Sequence, residues 1–303
     1  MNTYPFTPSQ LQAASAADVL TLIKQPTLLA RRFGEILTAQ QFIGLFLLQG
    51  RYAIQGGAIA VPANEKIRTD RTAETVAAGA EYKLTGMSSE EYEIYVSQKQ
   101  GLAAEITDEE VTRSLRQPLD DALLRLQTEL VFDANEIALG VIQSSVTQTL
   151  AASGRWTTGK QILKDALRVK AKVRAQKLGY DIDTVVLNGE SYAAFVPELL
   201  DLLPDTDTTA LTGAFPNIAG ITWVSSDDDD FREPLFLDRR RLGGIARELI
   251  ASPEYSPVGA DTGVEVASIR VPTADKTRIQ VRNPHVPVVT NPLAGFVVTG
   301  TEA

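Results

Sequence analysis

Residues 50–84 read GRYAIQGGAIAVPANEKIRTDRTAETVAAGAEYKL, and no other stretch constrains the fold of this chain as much. Tyr52 with Ile54, and Ile59 with Val61, alternate with small or polar residues, and Ile67 follows alone. Gly56-Gly57, Pro62 and the charged centre Glu65, Lys66, Arg68, Asp70 and Arg71 interrupt the alternation. A period of two punctuated by Gly and Pro predicts strands and turns rather than helix. So few apolar side chains cannot hold such an arm together, because an isolated hairpin is marginal in water. The segment is expected either to be loose or to lie on another molecule.

The rest of the chain is long enough to supply a core. Its 303 residues predict roughly two domains, and 44% hydrophobic with 22% charged residues is ordinary for a soluble protein. Cysteine is absent, so disulfides, thiolate nucleophiles and thiolate metal sites are excluded. His285 is the only histidine and sits in the stiff segment Asn-Pro-His-Val-Pro, where a structural role is expected. The net charge of −9 argues against a general nucleic-acid binder. The most apolar run, residues 42–48, is far too short to span a bilayer, and MNTYPFTPSQ at the start has no signal-peptide pattern. These features predict a soluble protein made in a cytoplasm, with no membrane partner.

Along the chain, residues 18–48 form an apolar arm with helical segments broken at Pro26, ending in Phe42, Ile43, Phe46 and Leu47. Residues 92–96 alternate as a strand. Thr107-Asp108-Glu109-Glu110 has the form of a capping box. A long helix is expected over residues 118–146, with Pro118 in its first turn and Asp120 and Asp121 at the positive end of its dipole. Leu119, Leu123, Leu126, Leu130, Ala134, Ile137 and Val141 give that helix one continuous apolar stripe. Residues 149–158 read as a linker or exposed loop. A basic helix is expected over 159–178, ended by Gly179, with a buried strand over 184–187 and a helix over 190–203 broken at Pro197. Strands follow at 218–224 and 234–237. The last third is strand-rich, with a hairpin turn at Ala274-Asp275 and short extended pieces divided by Pro284, Pro287 and Pro292.

No constellation of catalytic residues emerges. The four aspartates at 227–230 do not follow the spacing of a calcium loop and read as a solvated loop tip. Gly154 to Lys160 lacks the phosphate-loop spacing, and Leu187-Asn188-Gly189-Glu190-Ser191 lacks that of a nucleophile elbow. The helix bearing Lys160, Lys164, Arg168, Lys170, Lys172, Arg174 and Lys177 could face phosphates, yet has no aromatic residue for base stacking. Catalytic, cofactor-binding and metal-binding residues are therefore all expected to be absent.

The order of parts carries a resemblance: apolar arm, extended ribbon, long helix, α/β middle segment and strand-rich return. Local wording supports it in Gln25-Pro26-Thr27-Leu28, Gly50-Arg51-Tyr52 with Gly56-Gly57-Ala58, and residues 74–82 (ETVAAGAEY). Further stretches are Glu105-Ile106-Thr107-Asp108-Glu109, Leu178-Gly179-Tyr180, Val185-Val186-Leu187-Asn188-Gly189, and Asn291-Pro292-Leu293-Ala294-Gly295-Phe296. The chain resembles the major capsid proteins of tailed bacteriophages, the Hong Kong 97-like capsid fold, in wording most like those of actinobacterial phages.

The resemblance implies an α+β fold with an N-arm (1–49), an E-loop (50–85), a P domain with its spine helix (86–149), an A domain (150–255) and return strands of the P domain (256–303). It implies self-assembly as hexamers and pentamers into an icosahedral shell, enclosing double-stranded DNA without specific binding. A scaffolding protein, a portal and a decoration protein are the further partners it implies, and the virion is the implied location. Intersubunit contacts are expected at Lys66, Arg68 and Arg71 against Glu105, Asp108, Glu109 and Glu110, with Phe42 and Phe46 of the arm buried on adjacent subunits. Two other readings stay open: an encapsulin-type compartment shell, and a nucleic-acid-binding protein using the basic helix 160–177.

Overall fold

The computed structural model describes residues 16–37, 43–62, 71–85, 92–114, 117–202, 215–226, 232–258 and 262–301. Within these residues the chain builds two six-stranded sheets, a two-stranded ribbon and seven α-helices. The N-terminal arm forms α1 (Ala16–Ile23), α2 (Pro26–Leu37) and the short α3 (Ile43–Leu47). Pro26 opens α2, where its missing N–H would have no intrahelical partner in any case.

The first sheet has the order β1 (Gly50–Ile54), β10 (Gly243–Glu248), β13 (Lys276–Val289), β12 (Val264–Val271) and β11 (Tyr255–Val258), with β4 (Gln98–Thr107) on the other side of β13. The 14-residue β13 is its organising strand. Its first half lies between β12 and β4; its last residues, His285–Val289, pair with β10, and β4 reaches only as far as His285. Sequence reading divides this segment at Pro284 and Pro287, yet the strand continues through both. Proline's fixed φ is compatible with extended backbone, and only a donor is lost. The β12–β13 hairpin turns through Pro272–Ala274 and Asp275, whose φ of 42° is the left-handed conformation that Asp tolerates.

The second sheet runs β5 (Thr149–Ala151), β14 (Gly295–Thr299), β9 (Leu235–Leu237), β6 (Thr184–Asn188), β8 (Ile221–Ser226) and β7 (Asn217–Ile218). Val185, Val186, Leu187 and Leu235, Phe236, Leu237 are consecutive buried residues, the pattern of strands covered on both faces. Helix α6 (Gly159–Ala175) and helix α7 (Gly189–Leu200) pack together beside this sheet. α7 is the crossover joining the parallel pair β6 and β8. Asn188 caps it, its Oδ1 accepting from Ser191 N at 2.7 Å, and Pro197 does not break it. α6 ends at Ala175, with Lys177 and Gly179 both at positive φ in the exit.

Between the sheets runs α5 (Gln117–Ser145), preceded by α4 (Asp108–Ser114). Its 29 residues span about 43 Å at the standard rise. Leu119, Leu123, Leu126, Leu130 and Val131 join the core under the first sheet, with Leu29 and Phe33 of the arm and Ile279 of β13. Ala138, Leu139 and Ile142 join the core of the second, with Leu47, Trp156 and Phe236. The expected stripe holds as far as Ala134, but Ile137 and Val141 are only half-buried. Steps of four residues advance 40° around the helix, so a stripe through Leu130, Ala134, Ala138 and Ile142 turns as α5 passes from one core to the other.

β10 belongs to the first sheet and β14 to the second, because strand pairing across the chain overrides sequence order. Residues 149–151 form β5. Residues 152–158 form the exposed connection expected from the sequence, except at Trp156. Trp156 is fully buried, its ring centre 5.2 Å from Phe195 and edge-on. The buried carboxylate of Asp165 fixes this turn, accepting from Ser153 N at 2.9 Å, Trp156 Nε1 at 3.0 Å and Arg168 Nη1 at 2.8 Å. Burial alone would raise its pKa, but these hydrogen bonds together hold it below the usual carboxylate range. Asp165→Ala strands the buried Trp156 Nε1 and the part-buried Ser153 N and is expected to cost about 2 kcal/mol by urea denaturation. In the wild type the contribution of the carboxylate is present above an ordinary carboxyl pKa and is lost as pH falls through the lower folded value.

Candidate intersubunit surfaces

The ribbon starts inside the first sheet and then leaves it. β1 pairs in parallel with β10, Gly50 opposite Gly244. The backbones cross so closely that a Cβ placed on Gly244 would lie 2.4 Å from the Gly50 carbonyl, and one on Gly243 would lie 2.0 Å from Val288 O. Gly56 and Gly57, at φ 71° and 84°, turn the chain into β2 (Ala58–Pro62), which pairs with β3 (Tyr92–Val96) as a separate two-stranded ribbon.

Alternation gives this ribbon two unlike faces. On one, Ile59, Val61 and Tyr95 pack with Ile54, Ala246 and Val288. Tyr95 Oη donates to Glu93 Oε2 at 2.7 Å and lies 3.3 Å from Val289 O; burial, then Glu93, pushes its phenol well above the usual pKa. On the other face Tyr92, Ile94 and Val96 stand 64%, 72% and 62% exposed. Residues 71–85 have no helix or strand, and all but half-buried Val76 are exposed, Leu84 to 91%. An apolar row left exposed, with no cover among the described residues, is the signature of a surface that another molecule covers.

A second surface lies between β4 and the helices α4 and α5. β4 pairs with β13 only, so within the described residues its other edge carries unpaired backbone groups. Beside that edge opens a groove of about 660 Å³, floored by Leu102, Ala104 and Leu126 and lined by Glu105, Glu110, Asp121 and Glu129 against Arg125. It is acidic.

The residues singled out from sequence fall unevenly on this frame. Lys66, Arg68 and Phe42 lie outside the described residues. Arg71 is exposed at the start of the segment 71–85, and Glu109 is exposed on α4. Glu110 completes the capping box, its Oε2 accepting from Thr107 N at 2.9 Å while Thr107 Oγ1 accepts from Glu110 N at 3.2 Å. Glu105 accepts from Lys276 and, at 2.7 Å, from Arg278, and those two hydrogen bonds hold its carboxyl below the usual range. Asp108 takes a bidentate pair from Arg270 at 2.5 and 2.6 Å, which lowers its pKa in the same way. Phe46 is half-buried, 5.0 Å from the Phe215 ring and 4.3 Å under the Arg239 guanidinium. Glu105 and Asp108 are thus already paired within the subunit, by cations over 160 residues away in sequence.

His285 is buried on β13 opposite Arg247, its Nδ1 3.1 Å from Asn283 O. Burial pushes its pKa below the ordinary imidazole value. Between that value, about 6.5, and the lower folded one, the unfolded chain binds the extra proton, so stability falls as pH drops. His285→Phe is expected to remove this slope, at most about 1.4 kcal/mol per pH unit, from denaturant midpoints taken between pH 7 and pH 5. Among the described residues no cluster of His, Cys, Asp and Glu could hold a metal, and no helix is long and apolar enough to cross a membrane.

Solved structures share this arrangement. The capsid of cyanophage P-SCSP1u matches with a TM-score of 0.55 at 10% identity, over 84% of this chain and 86% of that one. A structure of Microbacterium phage Oxtober96 matches at 0.53 and 13% identity over 85% and 90%. The virus-like particle of Pyrococcus furiosus matches at 0.55 and 12% identity over 89% and 97%. No curated protein sequence matches the chain. Two sheets tied by one long helix, with an exposed ribbon at the side, have the Hong Kong 97-like capsid fold. The phage capsid protein family model matches residues 90–298, and the chain belongs to that family. Its role is that of a major capsid protein, a structural protein of the virion.

Proposed function

We propose that many copies of this chain close into an icosahedral head of hexamers and pentamers around the double-stranded DNA of a tailed phage, with residues 50–85 of each copy strapped across a neighbour. The observation that carries this reading is the exposed ribbon face Tyr92, Ile94 and Val96, uncovered among the described residues. Its counterpart on the neighbour is the acidic groove beside the open edge of β4, where the cationic Lys66, Arg68 and Arg71 of the strap would meet Glu110, Asp121 and Glu129, with exposed Glu109 nearby on α4. Exposed ion pairs contribute only about 0–1 kcal/mol each, so apolar and backbone contacts supply most of the hold. The pairing of Glu105 and Asp108 within their own subunit leaves them to shape the groove's field rather than to bind the strap alone. The arm, with Phe42, adds a further contact to an adjacent copy, and scaffolding, portal and decoration proteins are the partners such a head needs.

Electron microscopy of the purified protein tests the reading: closed, uniform particles are expected, and a monodisperse monomer under all assembly conditions would refute it. The likeness to the encapsulin of Synechococcus elongatus PCC 7942, TM-score 0.51 at 14% identity over 88% and 89%, supports a compartment shell as the second reading. Portal and terminase genes beside this one, rather than a cargo enzyme, decide for the phage head. Salt-sensitive DNA binding by isolated monomers would instead favour the basic helix as a nucleic-acid surface.

A further inference from the structure

The acids of the chain avoid one sector of the second-sheet lobe. Of 38 Asp and Glu, only Asp165 falls within residues 137–180, and none falls within 276–301. These two stretches contain β5, α6 and β14, and β5 pairs with β14 at the edge of the sheet. Asp165 is fully buried, so neither stretch exposes a carboxylate. Lys164, Arg168 and Lys172 stand exposed at intervals of four along α6, a row of about 12 Å on one flank. Hydrogen bonds seat this row on the edge strand. Lys172 Nζ donates to Thr149 O at 3.2 Å, and Asp165 accepts from both Arg168 Nη1 at 2.8 Å and Ser153 N at 2.9 Å. Thr147, Thr149 and Ser153 are exposed alongside, and among the described residues β5 pairs with β14 alone. The ion pairs of α6 are Arg168 with Asp165 and Arg174 with Asp181, which leaves Lys164 and Lys172 with no carboxylate partner among the described residues. Lys160 stands outside the row, because α6 starts against α7, where Gly159 meets the Glu198 carbonyl.

Fixed cations beside hydroxyls and an open strand edge match the partners that phosphate oxygens take: Lys and Arg, Ser and Thr, and backbone N–H groups. A protein segment would need apolar cover, and Leu167 is the one large apolar side chain exposed on α6. Single-stranded nucleic acid would need aromatic rings to stack on, and α6 has none. Duplex DNA needs neither, and one strand sets a phosphate about every 3.4 Å along its axis, so the row spans about three. We infer that the Lys164, Arg168 and Lys172 flank looks into the shell and takes the phosphates of the enclosed duplex without reading its sequence. The inference rests on the shell reading above and adds the contact surface and its chemistry. About three contacts leave a lone copy at the weak end of non-specific binding, a Kd of about 10−4 M. Repetition around the wall turns that weak contact into retention.

Assembly of the full-length chain in the presence of linear duplex DNA, followed by nuclease digestion, tests it. Wild-type shells formed at low salt are expected to keep nuclease-resistant DNA, and shells formed at high salt to keep little. Lys164→Ala with Lys172→Ala should give particles of unchanged size by electron microscopy that hold about tenfold less DNA. Lys164→Arg with Lys172→Arg keeps both charges and should hold as much as wild type. The inference is overturned if the alanine shells hold wild-type amounts, or if wild-type shells exclude the duplex at low salt. Preference for poly-glutamate over duplex DNA at equal charge also overturns it, because the occupant is then an acidic protein segment. An alanine variant that melts like wild type but forms no shell overturns it by making the flank a joint between copies. Wild type that forms no particle under any condition overturns the shell reading, and this inference with it.

Discussion

A chain in which residues 63–85 are replaced by a two-residue turn is expected to fold, remain soluble and form no closed shells. The reason lies in what the monomer loses. Residues 71–85 contribute no helix or strand and bury almost nothing, and the ribbon pair β2–β3 stays joined by the new turn and residues 86–91. Val61, Tyr95 and the other residues of the inner ribbon face are kept, so thermal stability should change by no more than about 1 kcal/mol. What goes is the reach of the strap and the cations at Lys66, Arg68 and Arg71. Circular dichroism and thermal melting report the fold; electron microscopy reports the shell. Normal particles from this variant would remove the strap from the assembly mechanism.

The second large effect is expected at the base of the same ribbon. Gly244→Val places a branched side chain where a Cβ alone would lie 2.4 Å from the carbonyl carbon and oxygen of Gly50 and 2.5 Å from its Cα. The obstructing atoms are backbone, so no rotamer change relieves the overlap, and β1 must separate from β10. We expect a loss of about 3 kcal/mol or more, since overpacking against backbone exceeds the usual cost of an extra methylene. Detachment of β1 also releases Tyr52 and Ile54, which support the inner ribbon face. Hydrogen exchange should therefore rise first in residues 50–62. Uniform protection with an unchanged denaturation midpoint would refute the close-crossing argument.

The features legible in the sequence are those that local chemistry determines. The capping box at Thr107 and Glu110, the first four turns of the α5 stripe, the Asn188 cap and the turn at Asp275 each follow from residues a few positions apart. Burial of Trp156 did not follow, because its neighbours Ser153, Gly154, Thr157 and Thr158 read as a loop and its anchor Asp165 lies a helical turn inside α6. The sheet positions of β10 and β14 depend on pairing with strands 40 to 190 residues distant, which no local pattern encodes. The same limit applies to the candidate surfaces. Too little apolar content for a free-standing ribbon could be read directly; that Arg270, Lys276 and Arg278 already hold Asp108 and Glu105 could not.

The chain passes between its two sheets along α5, again from β9 to β10, and again from β13 to β14. Packing alone would let two lobes slide apart under a pull in the plane of a wall. Three covalent tethers put that pull onto peptide bonds and onto the hydrogen-bond ladder of a 29-residue helix loaded along its length. A container under internal pressure carries its load as tension around its circumference. In the head proposed above, each tile would carry that tension through its own chain, and the joints between tiles would be the places where the wall gives first.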